Sequence, residues 1–502
     1  MRTPLQLPPG LIGDDTTSTA AGRYYDSDNV RFWREQPQTD GGWERISTTA
    51  LSGVCRGVLI WTDNDGVVNI GFGTHASLEV WYGGELAVIT PAGLSDGEID
   101  ATGGVGYGTG TYSTGEYGEP SVVDYYPRSW ALATWGENLL ASPRGGKLYV
   151  WENDTAEVAT EITQAPDHFD YMIVTPQRQV MGFGVNEEVS GDYNPLCIRW
   201  CDLEDYTDWT TSATNNAGEE ILSGGGRIIS AKVIGHQIFI WTDNGLHVAQ
   251  FLGDPGQTFQ FDQVGYNCGL IGPNAAVVIG HTAYWMAPDG QFYTCSVGGA
   301  PTPMICPIGA EVRDNLTAAQ KDKVYASSLS TYQEVRWDYP DERDGVECSR
   351  YVRVNTIDGA WSRGQMVRTA MTDAGPAPHP VGVDYDGNIY WHERGNSADG
   401  GVFSASVETA DQSISEDELV FLRGLWPDFK DQQGSVSVTV ITRMYPQGPE
   451  TEHGPYICTP GKEKVDFRAT GKIARVRFSS NSSPTFWRLG KPAFDVQPAG
   501  RR

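Results

Sequence analysis

Histidine, paired carboxylates, thiols and nucleophilic serines are the groups from which most active sites are built, so their spacing comes first. The chain holds eight histidines, none in an HExxH or HxH arrangement, and that spacing gives a metal site no support. Eight cysteines are scattered without a CxxC; the closest pair, Cys197 and Cys201, has no second thiol pair or nearby histidine to complete a tetrahedral zinc site. Buried free thiols are the expectation for them. A GxSxG elbow and a Walker loop are both missing, and Gly224-Gly225-Gly226-Arg227 lacks the GK[ST] ending and reads as a turn. Carboxylate pairs are plentiful, among them Glu204-Asp205, Asp341-Glu342 and Glu416-Asp417. A glycosidase needs two such groups converging across a cleft, which sequence does not establish. With 64 acids in the chain, adjacent pairs arise by chance and read as solvated surface. The turn Asp63-Asn64-Asp65-Gly66 offers oxygen ligands to calcium but lacks the later glutamate of an EF-hand loop, so it reads as a simple turn. No catalytic residue, cofactor or metal is therefore expected.

The elements that would carry any site are strands. In 502 residues there are 60 Gly, 29 Pro, 23 Tyr and 16 Trp, a mixture that favours short pleated segments joined by tight turns. A hairpin recurs along the chain: an apolar or aromatic strand, a glycine-containing turn, then a second strand. The turns fall at Asn64-Asp65-Gly66, Gly83-Gly84, Gly145-Gly146, Asp243-Asn244-Gly245, Asp289-Gly290 and Asp386-Gly387, where Asp-Gly, Asn-Gly and Gly-Gly supply the positive φ that hairpins need. This pattern predicts an all-β chain, a β-propeller-like core of repeated hairpins with an additional small C-terminal β domain; a pair of β-sandwiches is the structural alternative. The Asp-Gly turns resemble sialidase Asp-boxes only in that dipeptide. The best helical candidate is NLTAAQKDKVYASS, residues 315–328.

Three stretches stand outside the repeat. Residues 1–50 read as an N-terminal arm and first strands, ahead of a propeller-like body over 51–410. Within that body, residues 101–120 form a Gly/Tyr-rich low-complexity loop. Residues 411–502 read as a C-terminal basic β module, with SVSVTVITRMY and KIARVRFSS alternating as half-buried strands do, and YPQGPETEHGPYICTPG as a long surface loop between them. From Lys462 to Arg502 ten Lys and Arg stand against three acids, in a chain whose net charge is −28. A basic module on an acidic body suits docking to an acidic partner. The acidic body excludes tight DNA binding by phosphate neutralisation but suits a conduit through which DNA slides without sticking. The N-terminus carries no apolar stretch of signal-peptide length, so a protein without Sec export is expected, and no apolar run is long enough to span a bilayer as a helix.

Several segments resemble a family of structural proteins from short-tailed (podovirus-type) bacteriophages, the tail nozzle, tail tube or packaged-DNA stabilisation proteins. RYYDSDNVRFWREQPQTDGGW is similar to their opening Asp-Asn-Val-Arg-Phe followed by Gly-Gly-Trp. SWALATWGENLLASPRGGKLYVWE, CIRWCDLEDYTDWTTSATNNAGEEILSGGGRIISA, NCGLIGPNAAVVIGHTAYWMAPDGQFY and the C-terminal TRMYPQGPE with FWRLGKPAFDVQPAGRR carry the rest, across nearly the whole chain. The resemblance implies a virion protein of the tail, assembled in the host cytoplasm into a homohexameric ring below the portal and the adaptor (head-to-tail connector) proteins. Such a ring extends the DNA channel, helps retain packaged DNA, passes double-stranded DNA during ejection, can carry tail fibres and meets the host outer membrane. The chain is shorter than some nozzle proteins, and fibre-docking insertions are the parts such a length would omit. Under this reading Tyr107, Tyr112 and Tyr117 are candidates for a gate loop in the channel, and Arg475, Arg477, Arg488, Lys491, Arg501 and Arg502 for docking on an acidic adaptor ring. The alternatives from other classes are a propeller-type glycosidase and a glycan-binding, receptor-recognising tail protein.

Overall fold

The structure, a computed structural model, describes residues 2–102, 126–254, 257–413 and 419–500. Seven four-stranded antiparallel sheets follow one another along the chain, over residues 55–88, 130–161, 169–221, 228–266, 276–304, 325–365 and 370–392. Their first strands are Cys55–Thr62, Trp130–Trp135, Phe169–Val174, Ile228–Ile234, Ala276–Ile279, Tyr325–Leu329 and Ala370–Thr372. Each of these lies against the first strand of the next sheet, and the seventh returns to the first. The result is a closed, seven-bladed propeller. All six glycine-marked turns sit between paired strands; Gly66, Gly84, Gly145, Gly290 and Gly387 have positive φ, as tight hairpins require.

The seventh blade takes only three strands from its own stretch of chain. Its outermost strand is Trp43–Arg45, whose register puts Tyr390 opposite Arg45 and His392 opposite Trp43. A strand from near the N-terminus thus latches onto the last blade and locks the ring, removing two free edges at once.

The division of the chain at residues 50 and 411 does not match the strand pairing. Arg2–Pro4 pairs Ala493–Gly500, Tyr24–Asp28 pairs Phe403–Thr409, and Gln36–Thr39 meets Phe486–Leu489. Both chain ends therefore build one second module of three sheets, two of four strands and one of six. Its core of Leu422, Val438, Val440, Phe478, Trp487 and Leu489 is fully buried and runs on into the core of the later blades as a single cluster. The run 445–461 is not wholly a loop either: Thr451–Cys458 is the edge strand of the six-stranded sheet. Pro455 is tolerated there because one side of an edge strand needs no ladder donors.

Among the described residues helix is confined to Gly309–Asn315 and a 3-10 segment, Ala318–Lys323. The second occupies the stretch expected to be helical, but Tyr325 already begins a blade strand. Tertiary demands cut the helix short: Gln320 hydrogen-bonds the backbone of Ala101 in both directions, and Lys323 is buried against Asp100 and Glu347. Among the described residues no helix is long and apolar enough to cross a membrane. The eight cysteines are free thiols, seven of them buried.

Candidate functional site: the axis and the seam

Residues of all seven first strands line the propeller axis, among them Leu59, Leu132, Tyr171, Val277, Tyr325 and Met371. They leave a cavity of about 310 Å³, room for about ten waters at ~30 Å³ each. Glycine sets how closely the blades approach: an added Cβ at Gly73 would meet the Trp130 indole at 2.2 Å, and one at Gly57 the Trp130 Cβ at 2.8 Å. The same indole N–H donates to the carbonyl of Thr74 in the neighbouring blade at 2.7 Å. Within the cavity Lys232 donates to the Tyr171 hydroxyl at 3.0 Å. Burial alone would raise the Tyr171 phenol, but the Lys232 ammonium outweighs it and holds the phenol below its ordinary value. The axis thus holds a small cavity of mixed lining, with Asn274, Ser327, Ser328, Thr372 and Asp373 beside the Lys232–Tyr171 pair.

The second notable cluster lies where the N-terminal strands cross blade six and blade seven. Arg31 is 1 % exposed at its side chain and faces three carboxylates: Asp40 at 3.1 Å, Glu334 at 3.7 Å and Glu393. Arg353 reaches Asp40 at 2.7 Å and Glu334 at 3.7 Å, while Tyr351 donates to Asp40 at 3.0 Å. Arg336 pairs with Asp338 beside them, and its guanidinium stacks 3.8 Å over the Tyr351 ring. Burial pushes the Asp40 carboxyl up, but Arg353 and Arg31 together prevail and hold it at about 2. At Glu334 burial prevails over the same two arginines and the carboxyl is raised; its Oε2 takes no hydrogen bond. Arg31, Asp40, Gly41 and Trp43 all belong to the Asn-Val-Arg-Phe to Gly-Gly-Trp motif, so the motif is a structural joint between propeller and second module. The other resembling segments also spend polar side chains on structural hydrogen bonds, here inside blade three and on the connector before blade five. Arg199 donates to the Trp209 carbonyl at 2.8 Å, Trp200 to that of Asn216 at 2.8 Å, and Trp285 to that of Cys268 at 2.9 Å. Asn274 donates to the Arg56 carbonyl at 2.9 Å, tying the connector before blade five to blade one.

The residues picked from sequence fare differently from one another. Tyr107, Tyr112 and Tyr117 lie outside the described residues, as do Arg501 and Arg502. Arg475 is 9 % exposed and faces inward, paired with Glu408 at 2.7 Å, Glu450 at 2.9 Å and Asp411 at 3.7 Å. Its charge is neutralised inside the module, which removes it as a docking group. Arg477 shares Glu408 at 2.5 Å and has Glu452 at 3.8 Å. Arg488 bonds Gln38 at 3.1 Å with Asp431 at 3.9 Å. Lys491 is exposed. Three of the ten basic residues counted along the C-terminal stretch, Arg475, Arg477 and Arg488, are met by acids from 408–452, which a count along the sequence misses. Reversing Arg475 to Glu is expected to lower the denaturation midpoint, at ~1.5–3 kcal/mol for lost charged hydrogen bonds. Reversing Lys491 leaves the midpoint within experimental error; urea titrations of the two variants check this.

The Asp63 turn needs no ion to hold it. Asp63 Oδ1 accepts from the N–H groups of Asp65 at 3.0 Å and Val67 at 2.8 Å, and Asn153 donates to its Oδ2 at 3.3 Å. Among the described residues no group of three His, Cys, Asp or Glu is placed to hold a metal. The seam was missed from sequence because its partners come from residues 31–40, 334–353 and 393; the arginine inside an apolar run, Val30-Arg31-Phe32, was the available signal.

No protein-family model matches the chain, and no curated protein matches it. Among solved structures, the crystal structure of the computationally designed Ika8 protein is similar over 70% of this chain and 100% of that one, with 14% sequence identity and a TM-score of 0.39; a likeness that distant carries no argument about function.

Proposed function

We propose that this chain is a structural subunit of the tail nozzle of a short-tailed phage, a ring-forming wall that extends the DNA channel beneath portal and adaptor. The reading rests on the resembling segments, and one observation supports it most. The side chains described in those segments are spent on structural contacts, within blade three, between blades and between modules, the roles expected of a wall and not of a reaction centre. The axial cavity, about 310 Å³, is far too small for a duplex to run along it. In an assembled ring the channel would lie between subunits, walled by their outer surfaces. The excess of acids over bases in the chain suits a surface along which phosphate must not adhere.

Light scattering on the purified chain, alone and with portal–adaptor particles, tests the reading. A ring, formed freely or only on the particles, is the expected result. A subunit that stays monomeric in both settings overturns it, and monomers that also release sugar from bacterial polysaccharide would favour the glycosidase alternative.

A further inference from the structure

One face of the propeller carries a second, larger cavity of about 620 Å³, between the connectors that lead into blades two, three and four. In a chain this acidic, three arginines converge on it: Arg128, Arg144 and Arg227. They are not equivalent. Arg144 is committed, at 2.7 Å from Asp322. Arg227 reaches the same carboxylate only at 3.8 Å. Arg128 donates to the Ser95 carbonyl, lies over Gly97, where an added Cβ would meet it at 2.3 Å, and makes no ion pair among the described residues. Two guanidinium groups are thus held at the cavity with charge to spare. Arg144 and Arg227 both stack on the Tyr126 ring, at 4.0 and 4.4 Å.

The rest of the lining has a different character. Asp170 accepts from the Tyr193 hydroxyl at 2.7 Å and lies 3.3 Å from His168 Nε2, and the His168 and Tyr193 rings meet at 4.1 Å. Asp96 and Glu98 add two further carboxylates to the lining. Cations, carboxylates and ring faces together line a space of the size that small ligands occupy.

That mixture selects the ligand. A bare phosphate or a phosphodiester backbone presents acceptors only and is repelled by three carboxylates. A neutral sugar leaves the two under-used guanidinium groups without an anion. A saccharide ring with an acidic substituent satisfies both: its hydroxyls donate to the carboxylates, its C–H face packs on an aromatic ring, and its anion meets Arg128 and Arg227 in the forked geometry that guanidinium favours. We infer that this pocket binds an acidic sugar unit, a saccharide carrying a carboxylate or phosphate group. The pocket lies within one subunit, so the inference stands independently of the nozzle reading and of ring formation.

Calorimetric titration of the full chain tests it, with trigalacturonic acid, glucose 6-phosphate, maltotriose and inorganic phosphate as probes. At least one acidic sugar is expected to bind tighter than both maltotriose and inorganic phosphate, and which one does so tells carboxylate from phosphate. That preference should fall about tenfold or more in Arg128→Ala and in Arg227→Ala, with circular dichroism spectra unchanged; Arg128→Lys retains part of it. Two variants from different connectors guard against a local folding defect in either. Equal affinity for acidic and neutral sugars, phosphate binding as well as the sugars, or both alanine variants binding like the parent overturns the proposal.

Discussion

Replacing Arg31 with methionine is expected to destabilise the chain by ~3–5 kcal/mol, the cost typical of removing one member of a buried charge cluster. Methionine fills much of the arginine stem's volume, so the loss is electrostatic and not a cavity. What remains is Asp40, Glu334 and Glu393 facing one another, with Arg353 the nearest cation to the first two. Urea titration followed by tryptophan fluorescence measures the loss. A loss near 1 kcal/mol or less, ordinary for an exposed pair, would show that water reaches the seam and that its burial is not the source of its effect.

The same substitution should change how stability depends on pH, and the sign follows from the two carboxylates. Asp40, held at about 2, contributes stability that is present above its unfolded value and disappears as the pH falls through about 2. Glu334, raised by burial against its arginines, works in the opposite sense: it costs stability when ionised and costs less as the pH falls through its raised value. Without Arg31 the raising at Glu334 grows. The penalty of the variant should therefore be largest at pH 8 and smaller at pH 5, where protonation relieves the uncompensated charge. Stability curves of parent and variant that run parallel from pH 8 to pH 5 would contradict this.

What the sequence revealed and what it concealed divide along contact range. The turns at Asp65-Gly66, Asp289-Gly290 and Asp386-Gly387 were readable because a hairpin is a local object, written in two adjacent residues. Blade count was not, since it depends on Trp43–Arg45 joining Ile389–His392 across most of the chain, and a strand of three residues has no periodicity to detect. The boundary at 411 failed for the same reason: Phe403–Thr409 alternates like any blade strand, and only its pairing with Ile473–Ser482 assigns it to the second module. Arg475 and Arg477 looked available because charge was counted along the C-terminal stretch alone; the glutamates that meet them lie 25 to 69 residues earlier. The sugar pocket gave no signal, because its arginines sit singly on two connectors and one hairpin turn and come together only when the blades close.

Gly42→Ala should open the ring at its closure, and the prediction follows from space alone. A Cβ at Gly42 would lie 2.4 Å from the Ser397 carbonyl oxygen and 2.5 Å from its amide nitrogen. Both obstacles are backbone, so no side-chain rotation relieves them. The segment must back away, yet it is pinned on both sides: Gly42 donates to Gly395 and Trp43 to Ser397 at 2.9 and 3.0 Å, and Ile46 donates to Ile389 at 2.8 Å. Overpacking of this kind costs ~1–3 kcal/mol, and here it acts on the one strand that joins the last blade to the start of the chain. The loss should be regional, since blades two to four bury their own cluster away from the closure. Hydrogen exchange is the suitable readout. Amides of residues 43–46 and 389–392 should exchange ~10-fold faster or more, while those of Gln237–Thr242 in blade four keep their parent rates. Uniform acceleration across all blades would mean the propeller unfolds as one unit, and unchanged rates at 389–392 would mean that the N-terminal strand covers the last blade without holding it shut.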